Sequence, residues 1–388
     1  TNRTPEMALA ESKGFDAFAL NIGSDDWQEN QVQKAFDAVK GSSFNLFFSF
    51  DMTSIPCSAP SDVLLLQKYH RFQGSNNYQL VNGKPLVSTF SGQDCKFGKS
   101  NSNDGWHSAI KPLEPIFFMP AFFVDSSSLS AYDVMDGAFN WNSAWPMGDY
   151  NIDFTSDSSW IHNLGGRAYM AGVSPWFFTH YSPATYNKNF IYRADDWMLS
   201  TRWELLISNR DKVNIAHATT WNDFGESHYM APLLKDDTQP SSEAWVNGFD
   251  HQGWLDLVAY YIQAFKTGVY PPIQRDRIYL WARLYPTHAY SSDSVGRPAN
   301  SDWSRDFLWA VAMLTAPADV VLECGDKRES WSLPAGLAKL KLPLTTSCSV
   351  RAAVKRGDDS DMTFVPAGFD FRTDPPNYNF NAFVAASP

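Results

Sequence analysis

Charge is what this 388-residue chain has least of. Asp, Glu, Lys and Arg make up 19% of it, against roughly 25% in ordinary globular domains. The 31 basic residues are outnumbered by 42 acidic ones, giving a formal net charge of -11, and no run of Lys and Arg occurs. Phosphate recognition needs such clusters, so nucleic acid is not expected as a partner. An anionic membrane surface is disfavoured on the same ground. No apolar run approaches the ~20 residues of a membrane span.

Several catalytic signatures are also missing. There is no CxxC, HExxH, P-loop or strand-following GxGxxG. No GxSxG elbow marks an α/β-hydrolase nucleophile. The eight His are scattered, and the spacing of His217 and His228 makes a poor zinc site. No metal and no cofactor are expected. Only four Cys occur, as two separated pairs, Cys57 with Cys95 and Cys324 with Cys348. That pattern fits two structural disulfides in an oxidising compartment, where Asn2-Arg3-Thr4 would be a glycosylation acceptor at Asn2. No signal peptide is visible, so the chain reads as mature or trimmed secreted material.

What the sequence has instead is aromatic surface: 15% Phe, Trp and Tyr, including 15 Trp. Rings together with Asn and Ser suit neutral polyhydroxylated ligands, although ordinary core packing accounts for many of them.

Apolar runs alternate with helical patterns to about residue 268. Seven of them read as buried parallel strands: 15–22, 44–51, 85–92, 115–124, 137–145, 168–178 and 213–221. Helical periodicity marks 5–14, 30–41, 61–72, 195–209 and 251–268. Repeated strand–helix units predict an α/β, (β/α)8 TIM-like barrel over residues 1–270. Seven strands rather than eight, and a helix in first place, suggest that the first strand lies upstream of residue 1. Residues 271–388 read as a C-terminal all-β sandwich with its own disulfide.

Barrel enzymes place their sites at the carboxyl ends of the strands. The polar residues there are Asn21, Asp51, Asp125, Asn140 with Trp141 and Asn142, and Ser174 with Trp176. The last strand leads into "TTWNDFGESHY" (219–229), carrying Trp221, Asn222, Asp223, Glu226, His228 and Tyr229. Two carboxylates three apart among aromatics must differ in pKa, which is how an acid–base pair for acetal cleavage is assigned its roles. The plain structural alternative has Asp223 capping a turn and Glu226 paired with an arginine or with His228. Asp51 ends an apolar strand and reads either as a third functional carboxylate or as the cap of "DMTS" (51–54). "FNWNSAWPMGDYN" (139–151) adds Trp145 and Asp149, and "SPWFFTHYSP" (174–183) adds His180 and Tyr181 as cleft candidates.

With those residues in view, the chain resembles the fungal α-1,3-glucanases, or mutanases, of glycoside hydrolase family 71. The likeness rests on "FDAFALNIG", "FFSFDMT", "FNWNSAWP", "AYMAGVSPWFFTHY" and above all "TTWNDFGESHY", and it extends into "IYLWARLYP". It implies a secreted enzyme hydrolysing α-1,3-glucan with inversion, its essential acids at Asp223 and Glu226 and an important aspartate at Asp51. A monomer is expected. A strand resembling "HFMVG", with which family members begin, is missing here. The expected mechanism has Glu226 protonating the leaving oxygen, Asp223 activating water and Asp51 steadying hydroxyls, with Asp51 as base the second choice. A non-catalytic glucan-binding protein and a retaining hydrolase or transglycosylase on another α-glucan are the alternatives.

Overall fold

The computed structural model describes residues 4–233, 241–357 and 359–388; the sequon residue Asn2 lies outside them. By Cα proximity the chain falls into two compact units. One comprises residues 1–144, 154–172 and 208–217; the other comprises 145–153, 173–207 and 218–388. The second unit takes in residues on both sides of position 270.

The strand–helix alternation expected from the apolar runs is present. Helix α1 (Pro5–Ser12) precedes β1 (Ala17–Ile22), α2 (Trp27–Val39) and β2 (Asn45–Asp51). Then come α3 (Val63–Gln67), β3 (Leu80–Val81), β4 (Lys84–Phe90), α4 (Ser102–Ile110) and β5 (Phe117–Phe118). Strand β6 (Gly137–Asn140), α5 (Thr155–Leu164), β7 (Ala168–Val173), β8 (Phe178–His180) and β9 (Asn189–Ile191) follow. Helix α6 (Met198–Ser208), β10 (Ile215–Ala218), α7 (Glu243–Val246) and α8 (Gln252–Thr267) complete the series.

Strand β1 runs parallel to β2, β2 to β4, and β4 to β5. A second sheet has the order β10-β7-β6, with β6 and β7 parallel. Between the two sheets the Asp136 amide donates to the Phe118 carbonyl at 3.0 Å and the Phe139 amide to the Pro120 carbonyl at 2.9 Å. The seven expected strands therefore follow one another in sequence order. Among the described residues β1 and β10 are terminal in their sheets, so hydrogen-bonded strands do not close a ring.

Several extents differ from expectation. The run 115–124 contributes only Phe117–Phe118, because Pro115 and Pro120 have no N–H to donate. The run 137–145 leaves the sheet at Asn140 and coils into a 3-10 turn, Trp141–Ala144. The run 168–178 is divided: β7 ends at Val173, and β8 forms an antiparallel hairpin with β9. The stretch 61–72 is a 3-10 turn, the five-residue α3 and another 3-10 turn. Helices α4 and α5 were not anticipated, since their apolar positions are sparse. Their termini carry local signals instead: Asn101 accepts the Asp104 amide at 2.9 Å, and Gly165 ends α5 at φ 61°.

Beyond residue 270 the chain forms two antiparallel sheets. The first joins β11 (Arg277–Arg283), β12 (Phe307–Leu314), β15 (Gly336–Pro343) and β19 (Ala382–Ala386). The second joins β13 (Ala318–Cys324), β14 (Lys327–Leu333), β16 (Cys348–Arg356), β17 (Asp359–Phe364) and β18 (Asp370–Phe371). Ile278, Leu280, Leu308 and Ala310 from one sheet share an apolar cluster with Val320, Leu322, Val350 and Ala352 from the other. Both expected disulfides are formed, Cys57–Cys95 and Cys324–Cys348.

Candidate active site

Strand β10 stops at Ala218, and the chain beyond it doubles back on itself. The Thr220 amide donates to the His228 carbonyl at 2.9 Å, and the Met230 and Ala231 amides both donate to the Trp221 carbonyl. These bonds tie the two ends of the 220–231 segment together. At its tip is a 3-10 turn, Phe224–Glu226, capped by Asp223 and ended by Ser227 at φ 60°. Asp223 Oδ1 accepts the Glu226 amide hydrogen at 3.2 Å. Tight winding of one short turn thus brings both acids to the same place.

A chain of polar contacts holds them there. Thr220 Oγ1 accepts the Asp223 amide hydrogen at 3.0 Å and lies 2.9 Å from His228 Nδ1. His228 Nε2 lies 3.1 Å from Glu226 Oε2, and Lys188 Nζ donates to Glu226 Oε1 at 2.8 Å. His228 is buried, while the Glu226 side chain keeps 20% of its surface open. The plain alternative is therefore realised in part: Asp223 does cap a turn, and Glu226 does pair with His228. Neither contact uses up the second oxygen of Asp223.

The acids are driven apart electrostatically. Burial raises the Asp223 carboxyl above its ordinary value, with the neighbouring Glu226 charge adding to the rise and His228 opposing it. Burial also pushes Glu226 upward, but the hydrogen bond and charge of His228, followed by Lys188, outweigh it and hold Glu226 well below the usual range. The surroundings thus favour the neutral form of Asp223 and the ionised form of Glu226. Two phenols face the pair. Burial first, then the Asp223 charge, raises Tyr181; burial first, then the Glu226 charge, raises Tyr192.

Asp223, Glu226 and His228 are also the group among the described residues whose ligand atoms converge, one from each lying within 4.8 Å of the others. The Lys188 ammonium on Glu226 opposes a further cation there. The same spacing bears on stereochemistry, because inverting carboxyl pairs stand ~6.5–9.5 Å apart and retaining pairs ~5–5.5 Å.

Other expected site residues divide into linings and packing. Trp145 is buried, its Nε1 donating to the Trp176 carbonyl at 3.0 Å and its ring 5.9 Å from the His228 ring. Trp176 is buried too; it donates to the Phe380 carbonyl at 2.9 Å and stacks on Trp254. Neither ring presents a face to solvent, so the expectation that they receive a sugar is corrected: both are core residues. His180 is held between Asn189 at 2.7 Å and Asp293 at 2.6 Å. Tyr229 lies flat on His251 at 4.0 Å and donates to the Phe249 carbonyl. Asp149 pairs with Arg305 at 3.1 Å. Each of these three has a structural partner. Tyr181 is buried against Trp245 and Tyr186, Trp221 is partly open, and Asn222 is exposed.

In the first unit, Asp51 is the last residue of β2, and its Oδ1 accepts from the Thr53 amide at 3.0 Å and hydroxyl at 2.6 Å. Asn21 is exposed on β1. Asp125, Asn140, Trp141 and Asn142 line a cavity of about 320 Å³ with Phe123 and Trp160. Trp141 is steadied there edge-on by Phe90, centroids 4.8 Å apart. Sequence reasoning missed Lys188, Thr220 and Tyr192. Nothing local marks Lys188, which meets Glu226 across 38 residues of chain.

Comparison with known proteins agrees with this chemistry. The family model described as Glycosyl hydrolase family 71 matches residues 1–388. The chain is 35% identical to the glucan endo-1,3-alpha-glucosidase of Schizosaccharomyces pombe, covering 99% of this chain and 90% of that one. It is 27% identical to a mutanase of Penicillium rubens, covering 98% and 84%. It is 32% identical to the ascus wall endo-1,3-alpha-glucanase of S. pombe, covering 79% and 73%. Among solved structures it is similar to the GH99 endo-alpha-mannosidase of Bacteroides thetaiotaomicron, with TM-score 0.51, 12% identity, and coverage of 69% of this chain and 79% of that one. That likeness bears on the fold, an α/β glycosidase fold.

Proposed function

Because this chain belongs to glycosyl hydrolase family 71, we propose that it hydrolyses the α-1,3-glucosidic bonds of α-1,3-glucan, with Asp223 and Glu226 as the working carboxyls. The observation that carries this reading is the placing of two carboxyls on one short turn, where Lys188 and His228 contact Glu226 and leave Asp223 without a direct cationic partner among the bonds described, a setting that shifts the two acids in opposite directions. Asp223, which keeps its proton, donates to the leaving oxygen. Glu226, held ionised by Lys188 and His228, supplies the negative charge that an oxocarbenium-like transition state needs. These roles reverse the ones expected from sequence, and the electrostatics are the reason.

Inversion, the course the resemblance implies, requires a base farther from Asp223 than Glu226 is. Asp51, the base that the sequence offered as second choice, lies at the carboxyl end of β2, where barrel enzymes carry functional side chains. A retaining course is the second reading, favoured by oxygens of the pair lying within 4.8 Å of each other; Glu226 would then attack the anomeric carbon. Proton NMR of the first-released sugar separates the two.

Glucan contacts are assigned to Trp221, Asn222 and, in the first unit, Trp141, Asn142 and Asp125, on the strength of partial exposure and the 320 Å³ cavity. The parallel pairs β1–β2, β2–β4, β4–β5 and β6–β7, met in sequence order, support a (β/α)8-type barrel. The apolar cluster confined to residues 278–371 supports a separate β-sandwich after residue 270. Two disulfides support action outside the cell. The test is incubation with insoluble α-1,3-glucan beside β-1,3-glucan and starch. Reducing sugar released from the first alone is the expected result. Binding without release would make the protein a lectin-like glucan binder, and release from starch would move the substrate to another α-glucan.

A further inference from the structure

The hairpin β8–β9 carries the cation that meets Glu226. The pairing of His180 with Asn189 continues one step further, where the Tyr181 amide donates to the Lys188 carbonyl at 2.7 Å. Lys188 is therefore fixed at its backbone directly opposite Tyr181, the buried phenol that feels the charge of both acids. From this anchor its ammonium reaches Glu226 Oε1 at 2.8 Å. The side chain itself is half exposed, a position in which an ion pair contributes little to stability.

We propose that Lys188 is a positioning residue for catalysis: it fixes Glu226, rather than Asp223, as the ionised carboxylate of the pair. The argument is one of asymmetry. The two acids share a turn and the neighbouring His228, yet among the described bonds the Lys188 ammonium is joined to Glu226, while on Asp223 its charge is a lesser influence. The other titratable groups facing Glu226 are Asp223 on the same turn, His228 just beyond it, and Tyr181 and Tyr192, each one residue past a hairpin strand. Asp223 disfavours a charge on Glu226, and the phenols are neutral at working pH. Lys188 and His228 are thus the groups that favour it, and Lys188 is the one whose charge does not depend on pH in the working range.

This inference rests on Asp223 and Glu226 being the working pair. The experiment compares pH profiles of kcat/KM on soluble α-1,3-gluco-oligosaccharides for the wild type, Lys188→Met and Lys188→Arg. In Lys188→Met the acidic limb should move up by about one pH unit, as removing an adjacent opposite charge does. The loss should fall on kcat more than on KM, and Lys188→Arg should restore the limb. An acidic limb that stays in place in Lys188→Met, with its thermal midpoint unchanged, overturns the inference. If Lys188→Met does not fold, Lys188→Gln serves, with the same limb as readout. Activity surviving in Asp223→Asn or Glu226→Gln would instead defeat the reading of the pair, which keeps the two failures apart.

Discussion

Asp223 accepts the amide hydrogen of Glu226 at 3.2 Å, so the cap of a single 3-10 turn and its last residue form the acid pair of the site. Their separation and orientation are therefore set by local backbone geometry. Packing between distant elements then determines their protonation.

The first consequence is a pH profile. On the proposed roles, the active form has Asp223 protonated and Glu226 ionised. Activity should fall at low pH as Glu226 takes up a proton, at a pH below the ordinary glutamate range because its value is lowered. It should fall at higher pH as Asp223 loses its proton, above the ordinary aspartate range because its value is raised. A bell-shaped kcat/KM between those limits is expected. Titration of Asp223 and Glu226 by carbon-13 NMR should assign the lower value to Glu226; the opposite order would return the donor role to Glu226.

His228 should matter through both ring nitrogens. Replacing it by Asn removes a charge-assisted bond to Glu226, worth ~1.5–3 kcal/mol, so kcat/KM should drop roughly 10- to 100-fold. Thr220→Val, which removes neutral bonds to the Asp223 amide and His228, should cost about 3- to 10-fold. Equal losses in the two variants would mean that the histidine charge is irrelevant.

The tryptophans should separate by phenotype. Trp176→Ala opens a cavity in a packed interior and orphans the Phe380 carbonyl, so a stability loss of ~3–5 kcal/mol is expected. Trp141→Ala strips one wall from the 320 Å³ cavity; it should raise KM for glucan while moving the thermal midpoint little. Calorimetry and kinetics on the same two variants check this, and the pattern fails if Trp176→Ala melts like the wild type.

Much of this was legible in sequence, and the exceptions have physical causes. The strands could be located because they read as apolar runs, although β1 and β10 are only partly buried. Their ends could not, because Pro115 and Pro120 shorten β5 and Asn140 hands over to a 3-10 turn without any change of hydropathy. The pair Asp223 and Glu226 was visible because its geometry is local. The division of labour proposed for them was not, because it rests on Lys188, 38 residues away on a hairpin lying almost wholly beyond the strand expected at 168–178. Trp145 and Trp176 resembled sugar platforms because an indole has the same composition whether it faces a cleft or a core. Only coordinates distinguish the two.

The most direct test is sugar release from insoluble α-1,3-glucan by the wild type, Asp223→Asn and Glu226→Gln, with retention on the same glucan measured in parallel. The account predicts release by the wild type, a loss of at least ~100-fold in each variant, and undiminished retention by all three. Near-normal release by either variant would contradict it.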